Sequence, residues 1–165
     1  MALTHFDPSG ASRMVDVGHK KPTQRMARAS AQIVMREETS KLIQNRDLAK
    51  GDVLEVARLA GIMATKRTDE LIPLCHSLPL DRVDIEFKFT DPQTLRLESR
   101  VETFAKTGVE IEALMAVSIA ALTVYDMCKA VDREMHVQQI QLEEKLGGKS
   151  GHFLRQQPGQ EEKQS

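Results

Sequence analysis

Thirteen consecutive residues, Ala113 to Tyr125, carry no charge, and charged groups crowd both ends of the run. Lys106, Glu110 and Glu112 precede it; Asp126 and Lys129 follow it. A helix that is apolar nearly all round belongs in a core or an interface. The run is too short to cross a bilayer, which needs roughly 20 apolar residues. The pattern predicts a buried helix within 106–130 whose charged ends lie where packed structure meets a cavity.

Other stretches show shorter periods. Ala27, Ala29, Ala31, Ile33 and Met35 alternate with Arg28, Ser30 and Gln32, the period-two pattern of a half-buried strand. A short helix follows over about 37–45. Asp52 is a suitable N-cap, with Glu55 completing an approximate capping box. Beyond it Val53, Val56, Ala57, Ala60, Met63 and Ala64 line one helical face. Leu54, Leu59 and Ile62 widen that face, which predicts a substantially buried helix, and Pro73 marks its limit. Val83, Ile85, Phe87 and Phe89 form one alternating run, and Leu95, Leu97, Ser99, Val101 and Thr103 another. Thr90-Asp91-Pro92-Gln93 is a turn between them, so the two runs predict a β-hairpin. A weaker strand is expected near 135–144, followed by a Gly-rich loop over 147–151.

In order these are strand, helix, helix, hairpin, helix, strand. Helices able to cover one face of a hairpin-rich antiparallel sheet make an α+β sandwich. Its edge strands would invite pairing with another subunit. The 165 residues suit a single domain, 1–165, with a flexible N-terminal arm (about 1–22) and a disordered tail (about 155–165). With 41% hydrophobic but only 4% aromatic residues, the core must be built from Ala, Leu, Val, Ile and Met. A net charge of −1 gives no general case for nucleic acid or membrane as partners. The two cysteines, Cys75 and Cys128, fit a reducing cytoplasm better than a disulfide scaffold, and no zinc spacing exists. No basic segment followed by an apolar one opens the chain, so no secretory signal is expected.

The charged helix ends carry the first candidates. Thr107 and Glu110 read as a capping box, an ordinary role that competes with a functional one for Glu110. Glu112 has no such explanation. The helix dipole would keep it ionised, fit to bind a polar group or a cation. Asp126 and Lys129 share a helix face at i, i+3. On a surface they would be a weak ion pair, worth roughly 0–1 kcal/mol. The apolar turn before them argues instead for a partly dry setting, in which such a pair can exchange protons with a substrate. Glu112 and Asp126 are fourteen residues apart, roughly 21 Å along a helix. One small substrate touching both needs a second subunit to supply one end.

The segment Leu74-Cys75-His76 places a thiol beside an imidazole. Adjacent residues on extended chain point opposite ways, so His76 binding phosphate or substrate through its ring is favoured over a catalytic thiol. Gly147-Gly148-Lys149-Ser150 is like the end of a phosphate-binding loop but lacks its first glycine, where Glu143 stands, and a following helix. Lys50, Lys66-Arg67, Lys145 and Lys149 are each ordinary solvated charges; assembled, they would suit a triphosphate.

LIPLCH at 71–76, KTGVEIEAL at 106–114, YDMCKA at 125–130 and GGKSG at 147–151 resemble the molybdenum cofactor biosynthesis protein C family, the cyclic pyranopterin monophosphate synthases. MVDV at 14–17, KGDV at 50–53 and KR at 66–67 extend the likeness, which covers about 5–153. It implies a ferredoxin-like antiparallel sheet with helices packed on one face. It also implies a homohexamer, a trimer of dimers, with active sites between subunits. The reaction implied is conversion of 3′,8-cyclo-7,8-dihydroguanosine 5′-triphosphate to cyclic pyranopterin monophosphate, releasing pyrophosphate. Asp126 and Lys129 then match the catalytic acid/base pair. Leu74, Cys75, His76, Ile111, Glu112, Glu110, Thr107, Lys50, Lys66 and Lys145 match substrate-binding positions, with Lys149 and Arg25 as weaker transfers. Ser77 stands where the family commonly has Pro, which would loosen the segment after His76. Ile111 replaces a common Met and Ala105 a common Gly. No cofactor or protein metal site is expected; Mg²⁺ enters only as a companion of the triphosphate or pyrophosphate. Two rival readings stay open, a non-catalytic small-ligand module and a nucleotide phosphohydrolase that leaves the purine intact.

Overall fold

The computed structural model describes residues 5–45, 52–149 and 151–156. Lys50, Ser150 and the tail beyond 156 lie outside the described residues. Strand β1 (Thr23–Val34) leads to helices α1 (Glu37–Gln44), α2 (Val53–Thr65) and the single turn α3 (Thr68–Leu71). The hairpin β2 (Arg82–Asp91) and β3 (Thr94–Ala105) follows, then α4 (Glu110–Cys128), β4 (His136–Leu146) and the short β5 (Phe153–Leu154). The sheet is antiparallel throughout, in the order β2-β3-β1-β4-β5. Its first four strands with α2 and α4 form the β-α-β-β-α-β arrangement of ferredoxin-like folds, with β5 added at one edge.

The core lies between the sheet and α4. Ala27, Ala29, Ala31 and Ile33 of β1 and Leu95, Leu97 and Val101 of β3 face Ala113, Val117, Ala120, Ala121 and Val124 of α4. The alanines that make β1 a poor strand former leave room for α4 to lie directly on it. The other sheet face is covered by charge. Arg28 bridges Glu98 (3.2 Å) and Glu144 (3.0 Å), and Arg96 bridges Glu98 and Glu143 (both 2.8 Å). Ser30 is buried beneath this network and donates to Glu143.

Two helices differ from their expected packing. On α2 the buried stripe is Val53, Ala57, Gly61 and Ala64, while Val56, Leu59 and Met63 are exposed. The cause is the closeness of α2 to α4. A β-carbon on Gly61 would lie 2.7 Å from the Ala116 carbonyl and 3.3 Å from Ala120 Cβ. Only small residues fit that crossing, so the large apolar ones turn outward. On α4 burial is one-sided: Ile111 and Leu122 are exposed. The helix passes by length and composition as a membrane span, but its buried face is the core of this sheet.

Strand β4 is weak in sequence because it bulges. Its register against β1 shifts twice, and Gln139 takes a positive φ of 52°. Each slip moves the alternation to the other face.

Candidate active site

At one end of the sheet, where β3 passes into α4, residues from three segments enclose a cavity of about 330 Å³. Leu74, Cys75 and His76 come from the loop before β2. Thr107, Glu110, Ile111 and Glu112 come from the start of α4, and Val15, Val17 and Lys20 from the N-terminal segment. Seven residues singled out from the sequence thus meet in one place.

The loop before β2 is held by its own turns. Cys75 N–H donates to the Ile72 carbonyl at 3.0 Å, and the Ser77 hydroxyl donates to Asp69. Ser77 therefore ties the segment where a looser one was expected from the lost proline. Thr103 on β3 donates to the Pro79 carbonyl and fastens the far end of the loop to the sheet.

The start of α4 differs from the expected capping box. Val109 is the N-cap, no side chain caps the helix, and Glu110 is its first residue. Thr107 lies too far upstream to serve. The Glu110 carboxylate instead folds back over Gly108, occupying the space a β-carbon there would need.

Glu112 is only 4% exposed. Burial pushes its carboxyl up to about 7, and the negative charges of Glu110 and Asp69 add to the effect. This overturns the expectation that the helix dipole keeps it ionised. A half-charge at a helix end does not replace the water lost on burial. Burial, with Glu112 and Asp69 nearby, also pushes the Cys75 thiol up, which disfavours a thiolate nucleophile.

The raised Glu112 has a consequence for stability. The unfolded carboxyl titrates near 4.5, so between pH 4.5 and about 7 the folded protein retains a proton that the unfolded chain releases. Stability from this group is fully present below 4.5 and is lost as pH rises through about 7. Glu112→Gln is expected to raise stability by about 2 kcal/mol above about pH 8, with the gain vanishing near about pH 4.5. Urea unfolding of both proteins at the two pH values measures it.

Asp126 and Lys129 lie at the other end of α4. Their side chains are joined at 2.5 Å but are 66% and 54% exposed. The partly dry setting expected for the pair is thus not supplied by the described residues, which leave the last turn of α4 open to solvent. Asp132, missed in the sequence, organises the turn that follows. It is buried and accepts from Arg36 N–H (2.8 Å), the Thr39 hydroxyl (3.0 Å) and Glu134 N–H (3.2 Å). Burial alone would raise its carboxyl, but these hydrogen bonds and the Arg36 guanidinium hold it below the usual range. Its only sequence signal was an acid close behind a long apolar helix.

The basic candidates are spread out. Lys66 caps the C-terminus of α2, and Lys145 sits on β4 opposite Ala27. Arg25 reaches the carbonyls of Ala105 and Lys106 at 3.3 Å, and Gly148 lies against its guanidinium. Neither Lys66 nor Lys145 is among the described residues lining the cavity. Among the described residues, no three His, Cys, Asp or Glu side chains are grouped as metal ligands.

The profile of the MoaC family matches residues 14–148. The cyclic pyranopterin monophosphate synthase of Heliobacterium modesticaldum is 56% identical over 156 residues, spanning 94% of this chain and 98% of its own. That of Thermomicrobium roseum is 56% identical over 155 residues, 93% of each chain. The cyclic pyranopterin monophosphate synthase 1 of Mycobacterium tuberculosis H37Rv is 52% identical over 155 residues, 94% of this chain and 91% of its own.

Proposed function

The chain belongs to the MoaC family, and from that premise we propose that it is a cyclic pyranopterin monophosphate synthase. The enzyme is a lyase of molybdenum cofactor biosynthesis. It converts 3′,8-cyclo-7,8-dihydroguanosine 5′-triphosphate to cyclic pyranopterin monophosphate and pyrophosphate. The observation that carries the site is the meeting of Leu74, Cys75 and His76 with Thr107, Glu110, Ile111 and Glu112 around one cavity.

Lys129 gives and takes the protons that ring opening and rebuilding require, and Asp126 holds its charge and position. Attack of a sugar hydroxyl on the α-phosphorus forms the cyclic phosphate as the bond to the departing pyrophosphate breaks. Lys50, Lys66 and Lys145 offset the charge that develops on the leaving group. No cofactor is required, and Mg²⁺ enters only with the phosphates. The active unit is a dimer within a cytoplasmic homohexamer, each site completed by the neighbouring subunit. The length of α4 supports this, since Glu112 and Asp126 stand roughly 21 Å apart along one helix. The exposed Val56, Leu59 and Met63 supply an apolar stripe for a partner copy to cover.

Mass spectrometry of products from the cyclised triphosphate and from plain GTP tests the reaction. The expected result is cyclic pyranopterin monophosphate with pyrophosphate from the first and no reaction with the second. Pyrophosphate from GTP with the purine intact would mean a phosphohydrolase. Unchanged substrate in both would mean a binding module.

A further inference from the structure

The N-terminal segment is fastened to the cavity by two of its neighbours. His76 Nε2 lies 2.9 Å from the Val15 carbonyl, and Lys106 Nζ donates to the Gly18 carbonyl at 3.1 Å. The local sequence suits a strap. Val15 and Val17 are half-buried and line the cavity, while Met14 and Asp16 face outward. Asp16 Oδ1 accepts Gly18 N–H at 2.7 Å, and this turn ends the extended stretch.

The chemistry of the His76 contact is directional. A carbonyl only accepts, so Nε2 must carry the proton. In the neutral ring Nδ1 is then an acceptor, and it has no hydrogen-bond partner among the described residues. An acceptor suits a hydroxyl or a ring N–H and is unsuited to a phosphate oxygen. Resting on the substrate placement above, we propose that Val15 is a positioning residue of the site. Its carbonyl holds the His76 ring so that Nδ1 accepts from a hydroxyl or ring N–H of the nucleoside-derived part of the substrate, and the strap 14–18 forms a wall of the pocket. His76 therefore reads the ring system or sugar, and the triphosphate is left to lysines.

Nitrogen-detected NMR of the full-length protein reads the ring directly. The expected signature is an Nε2–H tautomer with an exchange-protected Nε2 proton. Val15→Ser with Val17→Ser removes the apolar side chains that seat the strap on the cavity, so that the Val15 carbonyl is no longer held against the ring. Protection is then lost, and KM for the cyclised triphosphate rises about tenfold, as for one lost hydrogen bond. In a His76→Ala background the same pair should change KM by less than about twofold, because the coupling partner is gone. Val17→Ser alone serves the same cycle should the double variant not fold. An Nδ1–H tautomer in the intact protein, or an equal KM rise in both backgrounds, overturns the proposal. A wild-type protein that makes no product refutes the reaction instead, and the ring signature still reports on the strap.

Discussion

Mixing two inactive variants is expected to regain activity. A Lys129→Ala subunit loses the proton carrier proposed above and should fall by about 10²–10⁴ in turnover, the usual worth of a positioned acid or base. Asp126→Ala should fall comparably while remaining folded, since both side chains are largely exposed. A His76→Ala/Glu112→Ala subunit is disabled at the other end of α4. In a dimer whose sites each combine the cavity of one copy with the Asp126–Lys129 end of its neighbour, a mixed pair contains one site built wholly from native side chains. Random exchange of equal amounts then makes about a quarter of all sites native. The measurement is turnover of the mixture against each variant alone. No gain, in mixtures shown by mass spectrometry to have exchanged subunits, would defeat the shared site. The prediction matters because Asp126 and Lys129 are solvent-exposed in the single chain. A partner covering that end of α4 would supply the drying that the proposed proton transfer calls for.

Gly61→Val is expected to destabilise the fold by about 3 kcal/mol or more, lowering Tm by roughly 10 °C. Two effects oppose each other at this position. Any side chain in place of a helical glycine recovers up to about 1 kcal/mol of backbone entropy. Against it stands the helix crossing, where an added β-carbon would sit 2.5 Å from Ile85 Cδ1 and 2.7 Å from the Ala116 carbonyl. The isoleucine can yield, but the carbonyl belongs to α4 and moves only with the helix. Steric cost therefore wins, and α2 is pushed off α4. Gly61→Ala should show the same sign at smaller size, about 1–3 kcal/mol. Thermal unfolding of the three proteins in one buffer gives the ranking, and an unchanged or raised Tm for Gly61→Val would remove the close crossing from the account.

Much of this architecture was readable in one dimension. Alternation marked β1 and the β2–β3 hairpin, and the uncharged run marked α4. The charges before that run marked the end of α4 that lines the cavity. Reading failed where a neighbour decides. Val56, Leu59 and Met63 read as inward because they are apolar, yet Gly61 and the small residues beside it own the contact. The capping box at Thr107 and Glu110 had the right letters, but the helix begins three residues later than Thr107. β5 was invisible, being two residues long and paired with Glu144 and Lys145. Residues 14–17 matched the family pattern, but nothing in an unpatterned arm says that Val15 meets His76, sixty-one residues away.

Periodicity and end charges determined the element types, their order and the placement of candidate acids and bases at the two ends of one helix, because these depend on residues a few positions apart. Tertiary structure decided which helix faces are covered, that Glu112 holds its proton up to about 7, and that the N-terminal strap closes one side of the cavity. Each of these depends on water being excluded or a hydrogen bond being met by segments distant in the chain, and no local pattern carries that information.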